Sequence, residues 1–290
     1  MQKVTIGIPS FNEESNIVSL LDAIISGNNE SFSLIKIIIC DDSTDDTPKK
    51  IERYIKMHTN IPIELFHSPY RGGAANAWNN IIKRAEGDIL VFYDADIIPV
   101  ANSTKELVTK INDNIGICAS NSKPLEENGI VARSSKFIST WLETVRSKQV
   151  SQYTVMGRAL SIPVMLAKKI EIPINLISID LYLQIKVLEM GYKVVYNPNA
   201  VVMFRPPTNL PDFTSQNIRA INGHSQILNK NNNQNRISVR NFLNTVLETV
   251  HKDPIGALCL ATCWFFVPFY KYKIKGTNSA LWHTASSTKS

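Results

Sequence analysis

Between Lys3 and about Ser120 the chain alternates short β-rich runs with helical patterns, and this alternation constrains the fold more than any other feature. The runs Val4 to Pro9, Leu34 to Cys40, Ile63 to His67, Ile89 to Tyr93 and Ile115 to Ala119 are rich in β-branched and aromatic residues and read as strands. Between them, Val18, Leu21, Ile24 and Ile25 mark one amphipathic helix. Ile51, Tyr54 and Ile55 mark a second, opened by Thr47 as N-cap with Pro48 at the first helical position. A third spans about Gly73 to Arg84. The pattern implies an α/β fold, a mostly parallel twisted sheet with helices on both faces, in which the continuous apolar stretch Ile37 to Cys40 suits a central strand. In such open sheets ligands bind beyond the carboxyl ends of strands, where Pro9 to Glu13, Asp41 to Asp46 and Asp94 to Asp96 all fall.

The run Ile89 to Tyr93 stops on two carboxylates, Asp94 and Asp96, with one small residue between them. In an extended chain, side chains at i and i+2 leave from the same face, so both carboxylates can aim at one point beyond the strand end. That point suits Mg²⁺ or Mn²⁺, hard cations held by one or two carboxylates while phosphate oxygens complete the shell. Taken alone, the three residues read more readily as a polar turn closing a buried strand than as a metal site.

At 290 residues, 44% apolar and 19% charged, the chain is large enough for a full core. A formal net charge of +6 fits anionic ligands such as nucleotide phosphates or lipid head groups. Dense Lys/Arg runs interleaved with aromatics are absent, which argues against a nucleic-acid partner. Cys40, Cys118, Cys259 and Cys263 lie in apolar contexts without a CxxC pair, as expected of buried thiols in a reducing cytoplasm rather than of a zinc site.

From Asn121 to Val155 the pattern loosens, as expected of a region covering a cleft. A helix from Ile179 to Met190 leads through Gly191 into a strand pair, Lys193 to Tyr196 and Ala200 to Phe204. The polar stretch Asn229 to Asn235 reads as a linker, which divides the chain into a domain over 1–228, a linker over 229–236 and a helical appendage over 237–290. In the appendage, Val239, Phe242, Leu243, Val246, Leu247 and Val250 follow helical spacing. Next, Ile255 to Tyr270 is apolar and uncharged, and Lys271, Lys273 and Lys275 follow it. The run is short against the ~20 residues of a spanning helix and is interrupted by Pro268. It reads as an interfacial anchor, with Trp264 and Tyr270 near the head groups and the lysines on anionic lipid, or as a helix docked on protein.

Together these segments resemble the inverting glycosyltransferases of family 2, which have the GT-A fold. VTIGIPSFNEESNI is similar to that family's first strand and nucleotide-binding loop, IIICDDSTDDT to its second strand and acidic signature, and HSPYRGGAANAWNNIIKRAEGDILVFYDADIIP to the helix that precedes its D-x-D strand. The resemblance covers roughly residues 3 to 225. It implies that Pro9, Ser10, Phe11 and Glu13 form a loop against the nucleoside, Phe11 as a flat wall for the base and Glu13 as a hydrogen-bond acceptor. Glu13 and Glu14 also suit the first turn of the following helix, where the dipole favours acids. Asp42, with Asp41 the second choice, would accept from the base, while Thr44, Asp45 and Asp46 serve as turn and cap residues. Arg71 would pair with a phosphate, and Gly72 and Gly73 would let the backbone approach the nucleotide, a plain turn being the other reading.

The resemblance further implies that Asp94 and Asp96 hold Mg²⁺ or Mn²⁺ against the diphosphate, Asp94 also reaching the ribose. Asp180 falls on the family's catalytic base at the start of a helix, with Ile179 where the family has Glu. Arg205, Gln216 and Arg219 are expected at the phosphate or the acceptor, and Ala220 replaces the Trp of processive members. The function implied is non-processive transfer of a sugar from a UDP- or GDP-linked donor to an acceptor hydroxyl or phosphate. A glycan or lipid-linked acceptor at the cytoplasmic face of a membrane is expected. A silent sugar-nucleotide or glycan-binding protein and a nucleotidyltransferase are the other readings.

Overall fold

The computed structural model describes residues 1–27, 31–148, 158–228, 238–271 and 286–289. Its strands are β1 (Gln2–Ser10), β2 (Phe32–Asp41), β3 (Ile63–His67), β4 (Ile89–Tyr93), β5 (Ile97–Pro99), β6 (Ile115–Pro124), β7 (Ala159–Pro163) and β8 (Lys193–Phe204). They form one sheet in the order β3-β2-β1-β4-β7-β6-β8-β5. All five apolar runs are strands, and β1 pairs in parallel with both β2 and β4. β7 runs antiparallel between β4 and β6, and β5 antiparallel on β8, so the sheet is mostly but not wholly parallel.

The chain leaves β1 toward β2 and β3, then returns to β4 on β1's other side, which opens a crevice beyond the ends of β1 and β4. α1 (Ile17–Ile25) and α2 (Thr47–Met57) cover one face, α3 (Ala74–Arg84) the other. Alternation along the strands serves both cores: Ile37, Ile39, Val91 and Tyr93 face α1 and α2, while Ile38, Cys40, Leu90 and Phe92 face α3. Gly7 lets α3 approach β1, since a Cβ there would lie 2.4 Å from Ile81 Cγ2. α4 (Ser103–Val108) and α6 (Val164–Ala167) are short, whereas α5 (Ile130–Ser147), α7 (Ile179–Glu189) and α8 (Leu210–Leu228) build the rest of the crevice.

Several expectations need correction. The expected strand pair is one strand, β8, whose two halves both run parallel to β6 and so cannot pair with each other. Asn197 to Asn199 are a bulge rather than a turn, where the register jumps between Ala119 and Asn121. The loose region contains α5, whose buried positions include Ser134, Ser135 and Thr144; each of their hydroxyls donates to a carbonyl one turn back, so polar residues fill a buried stripe. Asp46, not Thr47, occupies the N-cap of α2, because the Thr47 hydroxyl is drawn into the loop contacts described below.

The expected linker lies wholly outside the described residues, as do Lys273 and Lys275. α9 (Val239–Lys252) and α10 (Pro254–Lys271) pack on α5: Trp141 Nε1 donates to Thr245 Oγ1 at 3.1 Å, and Arg133 pairs with Asp253 at 2.7 Å. α9 is inside out. Thr245 and Thr249 are buried, while Val239, Leu243 and Leu247 are 75%, 51% and 65% exposed. On α10, Cys263 joins Val131 and Phe213 in a small core, and Ile255, Leu258 and Phe265 face outward. Among the described residues no helix is long and apolar enough to cross a membrane.

Candidate active site

The loops after β1 and β2 are laced together. Asn12, at φ 54°, accepts the Thr44 N–H at 2.8 Å through Oδ1, and its own N–H donates to Ser43 Oγ at 2.7 Å. The Glu13 N–H donates to Thr47 Oγ1 at 2.8 Å, and the Thr47 hydroxyl donates to Asp45. These contacts give Asp45 and Thr47 the turn roles that their residue types suggest. Asp41 is buried and committed internally, to His67 Nδ1 at 2.8 Å and the Ser43 hydroxyl at 2.5 Å. Asp42 Oδ2 accepts the N–H groups of Gly72 and Gly73 at 2.8 and 2.9 Å. Gly73, at φ 82°, then enters α3 in a conformation that a side chain would strain. Asp42 thus clamps the turn before α3, and Arg71, projecting from that turn, stacks 4.2 Å over the Phe11 ring.

Beyond the ends of β1 and β4 lies a cavity of about 440 Å³. Pro9, Phe11, Glu13, Asp94, Asp96, Asp180, Gln216 and Arg219 all line it. Ser10, Asp41, Asp42, Arg71, Gly72 and Arg205 do not. Ser10 is buried, and its hydroxyl has no hydrogen-bond partner among the described residues; Arg205 lies 3.9 Å from Glu127.

Charge in the cavity is crowded. Asp94 and Asp96 follow β4, Asp180 stands in the first turn of α7 where the helix dipole favours an acid, and Arg219 projects from α8. Burial, and then the charges of Asp96 and Asp180, push the Asp94 carboxyl well above the usual carboxylate range, against the pull of Arg158 and Arg219. Burial draws Arg219 down, while Asp94, Asp180 and Asp96 hold its charge in place. Burial and Asp96 also push Glu13 up to about 7. Ile179, in the place of the family's Glu, is a core residue 5% exposed, so the position before Asp180 contributes no carboxylate.

Among the described residues no group of three or more His, Cys, Asp or Glu side chains is arranged to hold a metal ion. The protein therefore offers a pair of carboxylates, whose mutual repulsion a divalent cation would relieve, and leaves the remaining positions to phosphate or water. That donor set fits Mg²⁺ or Mn²⁺ rather than zinc.

Three cations escaped the sequence reading. Arg158 flanks Asp94 because β7 pairs antiparallel with β4; its carbonyl accepts the Asp94 N–H at 2.8 Å. Its guanidinium sits 3.6 Å from Asp96 and 3.8 Å over the Phe204 ring. Arg146 on α5 is 5% exposed, and burial lowers it to about 10 while Tyr196, Asp180 and Glu143 sustain its charge. Lys289 reaches the cavity from the far end of the sequence. The run Ala159 to Pro163 was the one local signal available, a strand whose neighbour would have placed Arg158.

The family model for glycosyl transferase family 2 matches residues 5–168. Over 132 residues the chain is 28% identical to the UDP-Glc:alpha-D-GlcNAc-diphosphoundecaprenol beta-1,3-glucosyltransferase of Escherichia coli, covering 45% of this chain and 49% of that protein. The chain thus spans about half the length of that curated relative. Among solved structures it resembles a mannosyltransferase from Pyrobaculum calidifontis in complex with GDP-Man and Mn²⁺, with a TM-score of 0.65 and 20% identity over 96% of this chain and 77% of the other. It also resembles the glucosyl-3-phosphoglycerate synthase of Mycobacterium tuberculosis in complex with Mn²⁺, UDP and phosphoglyceric acid, with a TM-score of 0.53 and 18% identity over 78% of each chain. These likenesses establish the GT-A fold.

Proposed function

The chain belongs to glycosyl transferase family 2, and from that premise we propose that it is a metal-dependent, inverting, non-processive glycosyltransferase using a UDP- or GDP-linked sugar. One observation carries the reading: Asp94, Asp96, Asp180 and Arg219, from three separate elements, converge on a single cavity at the mouth of the β1/β4 crevice. Phe11 walls the base, with Arg71 stacked behind it, and Asp42 holds the turn that brings the backbone of Gly72 and Gly73 close to the nucleotide. Asp94 and Asp96 would hold a divalent cation, which would supply Lewis-acid neutralisation of the departing nucleoside diphosphate. Arg219 and Arg158 add fixed positive charge to the same wall. Asp180 takes the proton of the acceptor hydroxyl as its oxygen attacks the sugar from the side opposite the leaving group, which inverts the anomeric carbon. Ala220 lines the cavity without the bulk of a Trp, in keeping with a single transfer rather than polymerisation.

We favour a lipid-linked acceptor at the cytoplasmic face of a membrane. The outward apolar faces of α9 and α10 support it, as does the relative from Escherichia coli, whose name specifies an undecaprenol-linked acceptor.

The deciding measurement is release of nucleoside diphosphate from UDP- and GDP-sugars with Mn²⁺ and polyprenyl-linked acceptors in vesicles, alongside nucleotide binding by Asp96→Ala. Turnover in the wild type and loss of Mn²⁺-dependent binding in the variant are expected. Binding without release for any acceptor would leave a silent sugar-nucleotide-binding protein. Unchanged affinity in Asp96→Ala would remove the metal assignment.

A further inference from the structure

The segment Ser286–Lys289 stands against the donor side of the cavity. Ser286–Thr288 form a single 3₁₀ turn. Ser287 pins it to α8: its N–H and its hydroxyl both donate to Asp212 Oδ2, at 2.9 and 2.7 Å. Thr288 is 4% exposed, and its carbonyl accepts from Asn16 Nδ2 at 3.5 Å. Held from both sides, the turn delivers Lys289 to the loop after β1. The Lys289 ammonium lies 2.9 Å from Glu13 Oε1, donates to the Phe11 carbonyl at 3.0 Å and donates to the Asn12 carbonyl as well. An ammonium has three N–H donors, and here consecutive residues of one loop supply an acceptor for each. The left-handed backbone at Asn12 lets two successive carbonyls converge on the same cation. The side chains of Lys289 and Glu13 are only 18% and 13% exposed, so solvent screens the contact far less than it would a surface pair.

We propose that Lys289 is a positioning residue of the donor subsite, holding Phe11 to Glu13 in the shape that receives the nucleotide and offsetting the charge of Glu13 beside Asp96. The proposal rests on the reading of this cavity as a donor pocket. Three carboxylates, Glu13, Asp94 and Asp96, line the cavity assigned to the diphosphate, and a divalent cation would engage two of them, Asp94 and Asp96. The third repels the donor's phosphates unless a fixed cation answers it, and Lys289 is in contact with it. The same ammonium orders the carbonyls on either side of the Asn12 α-carbon, so the aromatic wall and the charge balance depend on one side chain.

The test compares Lys289→Met, Lys289→Arg and Ser287→Ala with the wild-type chain, by calorimetric titration of UDP and GDP with Mn²⁺ and by steady-state kinetics with the corresponding sugar donors. In Lys289→Met, nucleotide affinity should fall about tenfold, the order expected for losing a shielded charge-assisted contact. The loss should appear in donor KM, with kcat changed much less. Lys289→Arg should recover most of it, and Ser287→Ala should show a weaker form of the same defect. Equal thermal midpoints would show that the variants fold alike. A Lys289→Met protein that binds nucleotide as tightly as wild type overturns the proposal. One that binds more tightly also overturns it, by making the segment a plug rather than a support. If the wild type binds neither nucleotide, the donor-pocket reading itself fails and takes this inference with it.

Discussion

The nucleotide-side loops and the acidic cluster share one cavity, but different forces hold them. On the nucleotide side, backbone N–H groups find side-chain acceptors across the loops: Thr44 on Asn12, Asn12 on Ser43, Glu13 on Thr47, and Gly72 and Gly73 on Asp42. On the chemical side, carboxylates and guanidinium groups at the ends of β4 and β7 and on α7 and α8 crowd one wall, and the ion pair of Arg158 with Asp96 is long at 3.6 Å. The first arrangement is a scaffold complete in itself. The second is electrostatically strained: burial, and then the charges of Asp96 and Asp180, push the Asp94 carboxyl well above the usual carboxylate range, and a bound cation would relieve it. Substitutions on the two sides should therefore fail in different ways.

The largest separation should come from Asp180→Asn. The exchange keeps the size and removes the base, so turnover should fall by roughly 10²–10⁴ while Mn²⁺-dependent nucleotide binding stays close to wild type, because Asp180 belongs to α7 and not to the loops after β1 and β2. Single-turnover product formation and equilibrium binding, measured on the same preparation, read the two effects. Binding lost along with turnover would mean that the acidic wall also builds the nucleotide site. If the acceptor oxygen is a phosphate, already ionised, the turnover loss should be far smaller.

A second effect lies where the two sides meet, at Glu13. Its carboxyl is raised from 4.5 to about 7 in the folded protein. A carboxyl raised in this way favours the folded state fully below its ordinary value and loses that contribution as pH climbs through the folded value. Metal-free protein should thus lose stability between about pH 4.5 and 7, by at most about 3.5 kcal/mol, since each tenfold change in proton affinity is worth about 1.4 kcal/mol. Glu13→Gln should flatten part of that slope. Thermal melts of the two proteins from pH 4 to 8 without divalent metal check it, and parallel curves would show that Glu13 carries no such cost. Added Mn²⁺ should stabilise more at high pH than at low, because the proton and the cation compete for Asp94.

What the sequence made legible follows the same division. β1, β2 and β4 are parallel and covered on both faces, so they read as continuous apolar runs, and each stops where a polar loop begins. Asp94 and Asp96 were legible because strand geometry alone puts i and i+2 on one face. Arg158 was not, because its position depends on β7 pairing backward beside β4, a partner that local pattern does not specify. α5 was hidden by buried Ser134, Ser135 and Thr144, whose hydroxyls are satisfied within the helix and so cost little to bury. For α9 the spacing was correct, but periodicity marks an apolar face without saying which way it looks. Thr245 turned inward because the Trp141 indole needs an acceptor. Lys289 meets the Phe11 carbonyl across 278 residues of chain, a separation over which no motif could announce the contact.

The smallest of the three effects falls on the scaffold. Asp42→Ala removes the acceptor of two backbone N–H groups at once, at the turn where Gly73 takes its positive φ. Leaving partly buried N–H groups without partners should lower stability by about 1–3 kcal/mol. Because that turn carries Arg71, and Arg71 stacks on Phe11, loosening it should raise donor KM with little change in kcat, the reverse of the pattern at Asp180. Asp42→Asn keeps one carbonyl oxygen in place and should recover much of the stability. If it recovers stability but not donor affinity, the Asp42 carboxylate charge, and not only its clamp on Gly72 and Gly73, acts on the nucleotide. That result would move Asp42 from the scaffold to the ligand's own contacts and redraw the boundary between the two halves of the site.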